Sequence, residues 1–171
     1  PKQYKMASAF HLAFPYGIPR IMSSFRFTDS ESGPPTDENS NIKSPNFKPN
    51  GSLDSAWICE HRWRQIFNMI GFRNAVGAAK VNNWWDNGNS QIAFSRGNLG
   101  FIVFNGETVD LKTNLLTGLA PGVYCDIISG SKRGSACTGQ KIEVSIDGNA
   151  TFHLPSSADD GVFAIHIDSK L

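Results

Sequence analysis

The sequence predicts a partial α/β unit over residues 1–78, joined to an all-β antiparallel domain over residues 79–171. Three observations carry that reading. The run from Cys59 to Val76 places Trp63, Ile66, Phe67 and Ile70 at i, i+3, i+4 and i+7, one stripe of a helix. Upstream of it the pattern is helix, short apolar strand and long loop. Downstream, short alternating apolar runs are separated by turn signals, as in a sandwich or barrel.

Taken in order, Lys2 to about Phe14 carries Tyr4, Met6, Ala7, Phe10 and Phe14 without a breaker and is read as a helix that Pro15 and Gly17 stop. Arg20 to Phe25 is a short apolar run that suits a buried strand. Residues 28–54 hold Gly33-Pro34-Pro35, Pro45, Pro49 and Asn50-Gly51 among polar residues, which makes a long loop. The next helix has Asp54 and Ser55 as candidate N-caps and Gly77 as its end signal. A lone parallel strand cannot satisfy its backbone, so this half reads as the end of a larger fold whose first part is missing.

From Lys80 the candidate strands are Val81–Asp86, Gln91–Ser95, Gly100–Asn105, Gly122–Ser129, Lys141–Ile146, Ala150–Leu154 and Val162–Ile167. Asp86-Asn87-Gly88, Arg96-Gly97-Asn98, Asp147-Gly148-Asn149 and Asp160-Gly161 mark turns between them. Residues 108–118 are ambiguous and could add a strand.

Composition narrows the function. Of 171 residues, 16 are Lys or Arg and 15 Asp or Glu, a net charge of +1. No basic field favours nucleic acid or an anionic membrane. No apolar run approaches the roughly 18 residues of a membrane span, so the chain is read as soluble. The chain opens on a proline with no initiator Met and no signal peptide, which reads as a processed or excised piece. Three cysteines allow one disulfide in an oxidising compartment. Cys125 and Cys137 are the better pair, across a short loop with Gly130 and Gly134, and Cys59 is left single. Asn50-Gly51-Ser52 and Asn149-Ala150-Thr151 match the N-glycosylation acceptor. Together these point to a secreted protein.

No self-contained active site emerges. Trp84-Trp85 places one indole on each face of a strand, so one packs inward and the other either stacks on a sugar ring or packs under the helix or a neighbouring domain. Paired carboxylates could cut a glycosidic bond, but Asp159-Asp160 precedes a glycine and reads as a turn, and Asp29, Glu31, Asp37 and Glu38 lie in the loop. Glu60 lacks a second carboxylate. His11, His61, His153 and His166 have no metal-ligand spacing. Cys59 and His61, two apart on a helix, diverge and make a poor nucleophile pair. Gly130 to Gly134 lacks the phosphate-loop spacing, and no G-x-S-x-G elbow occurs.

Several motifs in order carry a resemblance. Tyr4-Lys5-Met6-Ala7, Pro15-Tyr16-Gly17, Arg20-Ile21-Met22-Ser23-Ser24 and Gly33-Pro34-Pro35 lead to Cys59-Glu60-His61-Arg62-Trp63-Arg64-Gln65 and Phe72-Arg73-Asn74. After these come Asn83-Trp84-Trp85, Gln91 to Gly97, Gly100 to Phe104, Tyr124-Cys125-Asp126 and Ala164-Ile165-His166 to Lys170-Leu171. Across essentially the whole chain the sequence resembles the C-terminal portion of animal-type α-amylases.

The resemblance implies that residues 1–78 are the end of the catalytic (β/α)8 barrel and residues 79–171 the family's C-terminal Greek-key domain. It implies a retaining endo-hydrolase of α-1,4-glucosidic bonds in starch and glycogen, with the catalytic carboxylates and calcium ligands upstream of this segment. The partners so implied are α-glucans, bound through the missing barrel, and the rest of that barrel. The segment alone is expected to be inactive and to bind neither calcium nor chloride. Lys2 falls where the family places a chloride ligand, as a point charge where Arg could chelate. The family's second disulfide matches Cys125 and Cys137, whereas the usual partner of Cys59 is here Leu53. Arthropod members are allergens, so antibody recognition is a further implied partnership, and a sugar-binding or antigenic β-domain is the competing reading.

Overall fold

A computed structural model describes residues 2–50, 52–53 and 56–171. The candidate caps Asp54 and Ser55 and the middle residue of the first sequon, Gly51, lie outside the described residues, as does Pro1. By contact the chain forms two compact units, Arg20–Trp63 and the remainder. The two helices therefore belong to the same unit as the strands, a grouping that cuts the chain differently from residue 78.

In the larger unit, α1 spans Lys2–Ala13 and α2 spans Arg64–Val76. Helix α1 stops where expected: the Phe14 N–H still reaches the Phe10 carbonyl at 2.8 Å, and Pro15 has no N–H to continue. Gly77 takes φ 48° and donates to the Arg73 carbonyl at 3.0 Å, closing α2. The buried face of α2 differs from the predicted stripe. Ile66, Met69, Phe72 and Val76 are buried, while Phe67 is 64% exposed. Apolar residues surround most of this helix, so periodicity alone does not choose the face; what packs on it does.

Ten strands follow: β1 Val81–Asp86, β2 Gln91–Arg96, β3 Gly100–Asn105, β4 Leu111–Leu116, β5 Gly122–Cys125, β6 Lys132–Arg133, β7 Ala136–Cys137, β8 Lys141–Val144, β9 Asn149–Leu154 and β10 Val162–His166. All pairings are antiparallel, in a sheet β1-β2-β3-β10 and the pairs β4-β9, β5-β8 and β6-β7. The ambiguous stretch is thus a strand, β4. The hairpin β6-β7 was not predicted; its two-residue strands sit inside the disulfide loop, too short to show alternation.

Both faces of the four-stranded sheet are covered. Phe101, Val103, Phe163 and Ile165 join Leu111, Leu115, Tyr124, Ile142, Phe152 and Leu154 in one apolar core, with Trp85 packed against it. On the other face, Phe94 and Phe104 meet Phe10 of α1 with ring centroids 5.9 Å apart, and Phe72 of α2 meets His166 edge-on at 6.0 Å. This explains why every residue of β3 is buried.

Residues 20–63 carry no ladder among the described residues. Phe25 makes an isolated bridge to Trp57, so the predicted strand Arg20–Phe25 is not formed. A strand needs a neighbour along its length, and this unit supplies only single bridges, at Phe25–Trp57, Thr36–Ile42 and Phe47–Leu53. The predicted helix start at Cys59 is also corrected: Cys59 sits at φ 55°, Glu60–Arg62 form one 3₁₀ turn, and Trp63 is extended.

Candidate functional site

The acids settle into structural roles. Glu60 is 6% exposed; its carboxylate accepts the Ser24 N–H at 2.8 Å and the Ser24 hydroxyl. Burial pushes its carboxyl up, but the bonds from Ser24 outweigh this and hold it below the ordinary glutamate value. Asp160, expected only as a turn residue, accepts from Lys5 Nζ at 2.6 Å and Gln65 Nε2 at 2.9 Å and so ties α1 to α2. Asp126 is fully buried after β5. It accepts the backbone N–H groups of Ile128, Ser129 and Ala164 at 3.2, 2.8 and 2.9 Å, and burial still pushes its carboxyl up. Asp37 and Glu107, both half-buried, likewise accept from neighbouring groups.

Two guanidinium groups that sequence reasoning passed over converge on the end of α1. Arg96, at the end of β2, is fully buried and donates to the carbonyls of Ala79 at 2.8 Å, Gly77 at 2.9 Å and Ala13. Arg73 donates to Phe14 at 2.6 Å, Gly17 at 3.1 Å and Leu12 at 3.3 Å. Cations suit these positions because the last carbonyls of a helix have no intrahelical donor and carry the negative end of its dipole. Burial, and then the nearby Arg73 charge, lower the Arg96 pKa. Arg96 reads in the sequence as the first residue of a turn, and the strand it closes, Gln91–Arg96, carries no local sign of its partners.

Lys2 donates from Nζ to the Ser156 carbonyl at 2.8 Å and lines a cleft of about 540 Å³ with Gln3, Met6, Phe10 and Glu107. An ammonium has three donors, so this bond leaves N–H groups that could meet an anion. Among the described residues no three His, Cys, Asp or Glu side chains cluster as a metal site, and no helix is long and apolar enough to cross a membrane.

Trp84 and Trp85 divide as alternation requires. Trp85 packs on the core, and Trp84 is 49% exposed. A bulge between Asn82 and Trp85, with Asn83 at φ 50°, turns the pair. One face of the Trp84 indole stacks on Phe94 at 5.7 Å, and its N–H donates to Asp86 at 3.0 Å. Asn83, Asn114, Leu115 and Leu116 complete a hollow of about 260 Å³ around the two indoles.

Cys125 and Cys137 form a disulfide with Cα atoms 5.4 Å apart, and Cys59 is a free, buried thiol. Asn50 is exposed and its Oδ1 accepts from the N–H and hydroxyl of Ser52 at 3.0 and 2.7 Å; Asn149 is half-buried and donates to Asp147 at 2.8 Å. His11, His61 and His153 are exposed, with His153 3.3 Å from Asp110, while His166 is buried.

Comparison with known proteins places this geometry. Residues 82–168 match the family model described as "Alpha amylase, C-terminal all-beta domain". The whole chain is 54% identical to an alpha-amylase-related protein of Drosophila bipectinata and 53% identical to one of Drosophila varians, and it spans 35% of the length of each. Alpha-amylase I of the earthworm Eisenia fetida, solved as a mutant with maltohexaose, superposes with a TM-score of 0.84 at 41% identity, over 97% of this chain and 35% of that one. The wild-type earthworm enzyme superposes with a TM-score of 0.83.

Proposed function

The chain belongs to the α-amylase family, through that family's C-terminal all-β domain, and from this premise we propose that it is the non-catalytic C-terminal portion of a secreted, retaining endo-hydrolase of α-1,4-glucosidic bonds in starch and glycogen. The observation that carries the reading is the fate of the acids. A retaining glycosidase needs two carboxyl groups about 5–5.5 Å apart across a sugar. Here the buried and half-buried acids, Glu60, Asp126, Asp160, Asp37 and Glu107, are each held by donors of the fold itself. The chain also spans only 35% of its relatives.

In this reading α1, α2 and the stretch from Arg20 to Phe25 are the closing segment of the (β/α)8 barrel, and that stretch forms no strand here because its pairing partners lie elsewhere in the longer protein. Lys2 is the residue that would hold a chloride ion there, contributing a single positive charge. The β-domain acts as a stabilising partner of the barrel. The test is hydrolysis of soluble starch: the longer protein releases reducing ends and the 171-residue chain does not. Release by the short chain at the rate of the longer one would put the reacting carboxylates inside it and refute the proposal.

A second reading follows from the half-exposed indole of Trp84: a sugar-binding surface without catalysis. Titration with maltooligosaccharide, followed by tryptophan fluorescence, should give a change that Trp84→Ala abolishes. A change that survives Trp84→Ala places the binding elsewhere.

A further inference from the structure

An asparagine followed by glycine is open to attack on its side-chain amide by the next backbone nitrogen, because glycine has no side chain to shield that nitrogen. The chain has three such pairs, Asn50-Gly51, Asn87-Gly88 and Asn105-Gly106. Gly51 lies outside the described residues. Asn105 is fully buried, its amide donates to the Val109 and Leu154 carbonyls at 2.9 Å each, and the Gly106 N–H is taken by the Ser90 carbonyl. Asn87-Gly88 is exposed in the turn between β1 and β2, and nothing lies within 4 Å of where a Cβ on Gly88 would be.

This turn sets out the groups that such an attack uses. The Gly88 N–H, whose proton must leave before the nitrogen can attack, donates to Asp86 Oδ1 at 3.0 Å, and the Trp84 indole N–H holds the other oxygen of that carboxylate at 3.0 Å. The Asn87 amide oxygen accepts the N–H groups of Asn89 and Gln91 at 3.0 and 3.2 Å, two backbone donors where negative charge would develop. Its nitrogen donates to Glu107 Oε1 at 2.7 Å, and the same oxygen accepts the Ser90 N–H at 2.9 Å. We propose that Asn87 is a self-modifying site. Asp86 takes the Gly88 amide proton, the nitrogen bonds to Asn87 Cγ, the Cγ–Nδ2 bond breaks, and ammonia leaves carrying that proton. Water then opens the imide ring and leaves aspartate or isoaspartate at position 87, so water is consumed, ammonia is released and nothing is oxidised or reduced. The new carboxylate faces Glu107 where an amide faced it. Repulsion replaces a hydrogen bond, and the β1–β2 turn parts from the turn after β3, a slow and irreversible charge switch.

The test incubates the 171-residue chain at neutral pH in 18O-enriched water, beside a peptide of residues 82–92, and maps both by mass spectrometry. Expected are 18O entering position 87, conversion there on the order of ten-fold faster than in the peptide, and none at Asn105 over the same period. Asp86→Asn keeps an oxygen to accept the Gly88 N–H but is no base, and should bring the rate down to that of the peptide or below. In the converted chain, isolated by ion exchange, the Ser90 amide should exchange faster with solvent, and unchanged protection there would sink the switch. A folded chain that converts no faster than the peptide would mean that the bonds of the turn protect Asn87. A rate that Asp86→Asn leaves unchanged would remove the base, and either result overturns the proposal.

Discussion

Arg96 shows how much one side chain can hold. A guanidinium presents a rigid fork of donors, and here three backbone carbonyls from the ends of both helices use it, out of reach of water. Replacing it with Met leaves those carbonyls buried and without their donor, and urea unfolding should show a loss of about 3 kcal/mol. Arg96→Lys should recover only part of that, because an ammonium cannot reproduce the fork. His166 gives the chain a pH dependence. Burial lowers its pKa, against the pull of Asp168, so the unfolded chain takes up the proton first. Stability is then full above the ordinary histidine value of about 6.5 and falls as pH drops through it. Chemical unfolding at pH 7.5 and 5.5 should show that fall, and His166→Asn should reduce it. Neither role was legible from sequence. Arg96 has no neighbour in the chain that names its partners, and a lone histidine says nothing of its burial.

Among the elements, the contact of α2 with β3 depends on a missing side chain. A Cβ on Gly100 would lie 2.6 Å from Val76 Cγ1 and 2.8 Å from the Phe72 ring. Gly100→Ala should therefore push the helix off the sheet and cost about 2–3 kcal/mol in equilibrium unfolding, the range for overpacking. The loop closed by Cys125 and Cys137 is similar: Gly130 and Gly139 cross so tightly that a Cβ on Gly130 would sit 2.1 Å from the Gly139 nitrogen. Cys137→Ser should lower stability by about 2–4 kcal/mol under oxidising conditions, with no such difference once both proteins are reduced. The β-strands were legible because alternation and turn residues are local: β1 and β3 keep their predicted bounds, and β2 runs one residue longer, to Arg96. The packed face of α2 was not, because Phe67 and Ile66 are equally apolar and only the partner surface distinguishes them.

At the scale of the whole chain, the two units differ in how their backbones are satisfied. Residues 64–171 carry continuous ladders, whereas the described part of residues 20–63 has isolated bridges and Asx turns such as those at Asp29 and Asp37. Amide exchange should be faster at Phe25 and Ile42 than at Ile102 or Ala164, by a factor on the order of a hundred or more. Uniform protection across both units would contradict that expectation.

The sequence by itself determined most of the strands, the disulfide pair and the family, because alternation, turn chemistry and long ordered motifs are written in neighbouring residues. Tertiary structure alone decided which side of α2 is buried, that Arg96 joins both helices to the sheet, and that Asp126 and Glu60 are structural acids. Each of these depends on surfaces brought together from distant parts of the chain, and no local pattern encodes the partner that will be there.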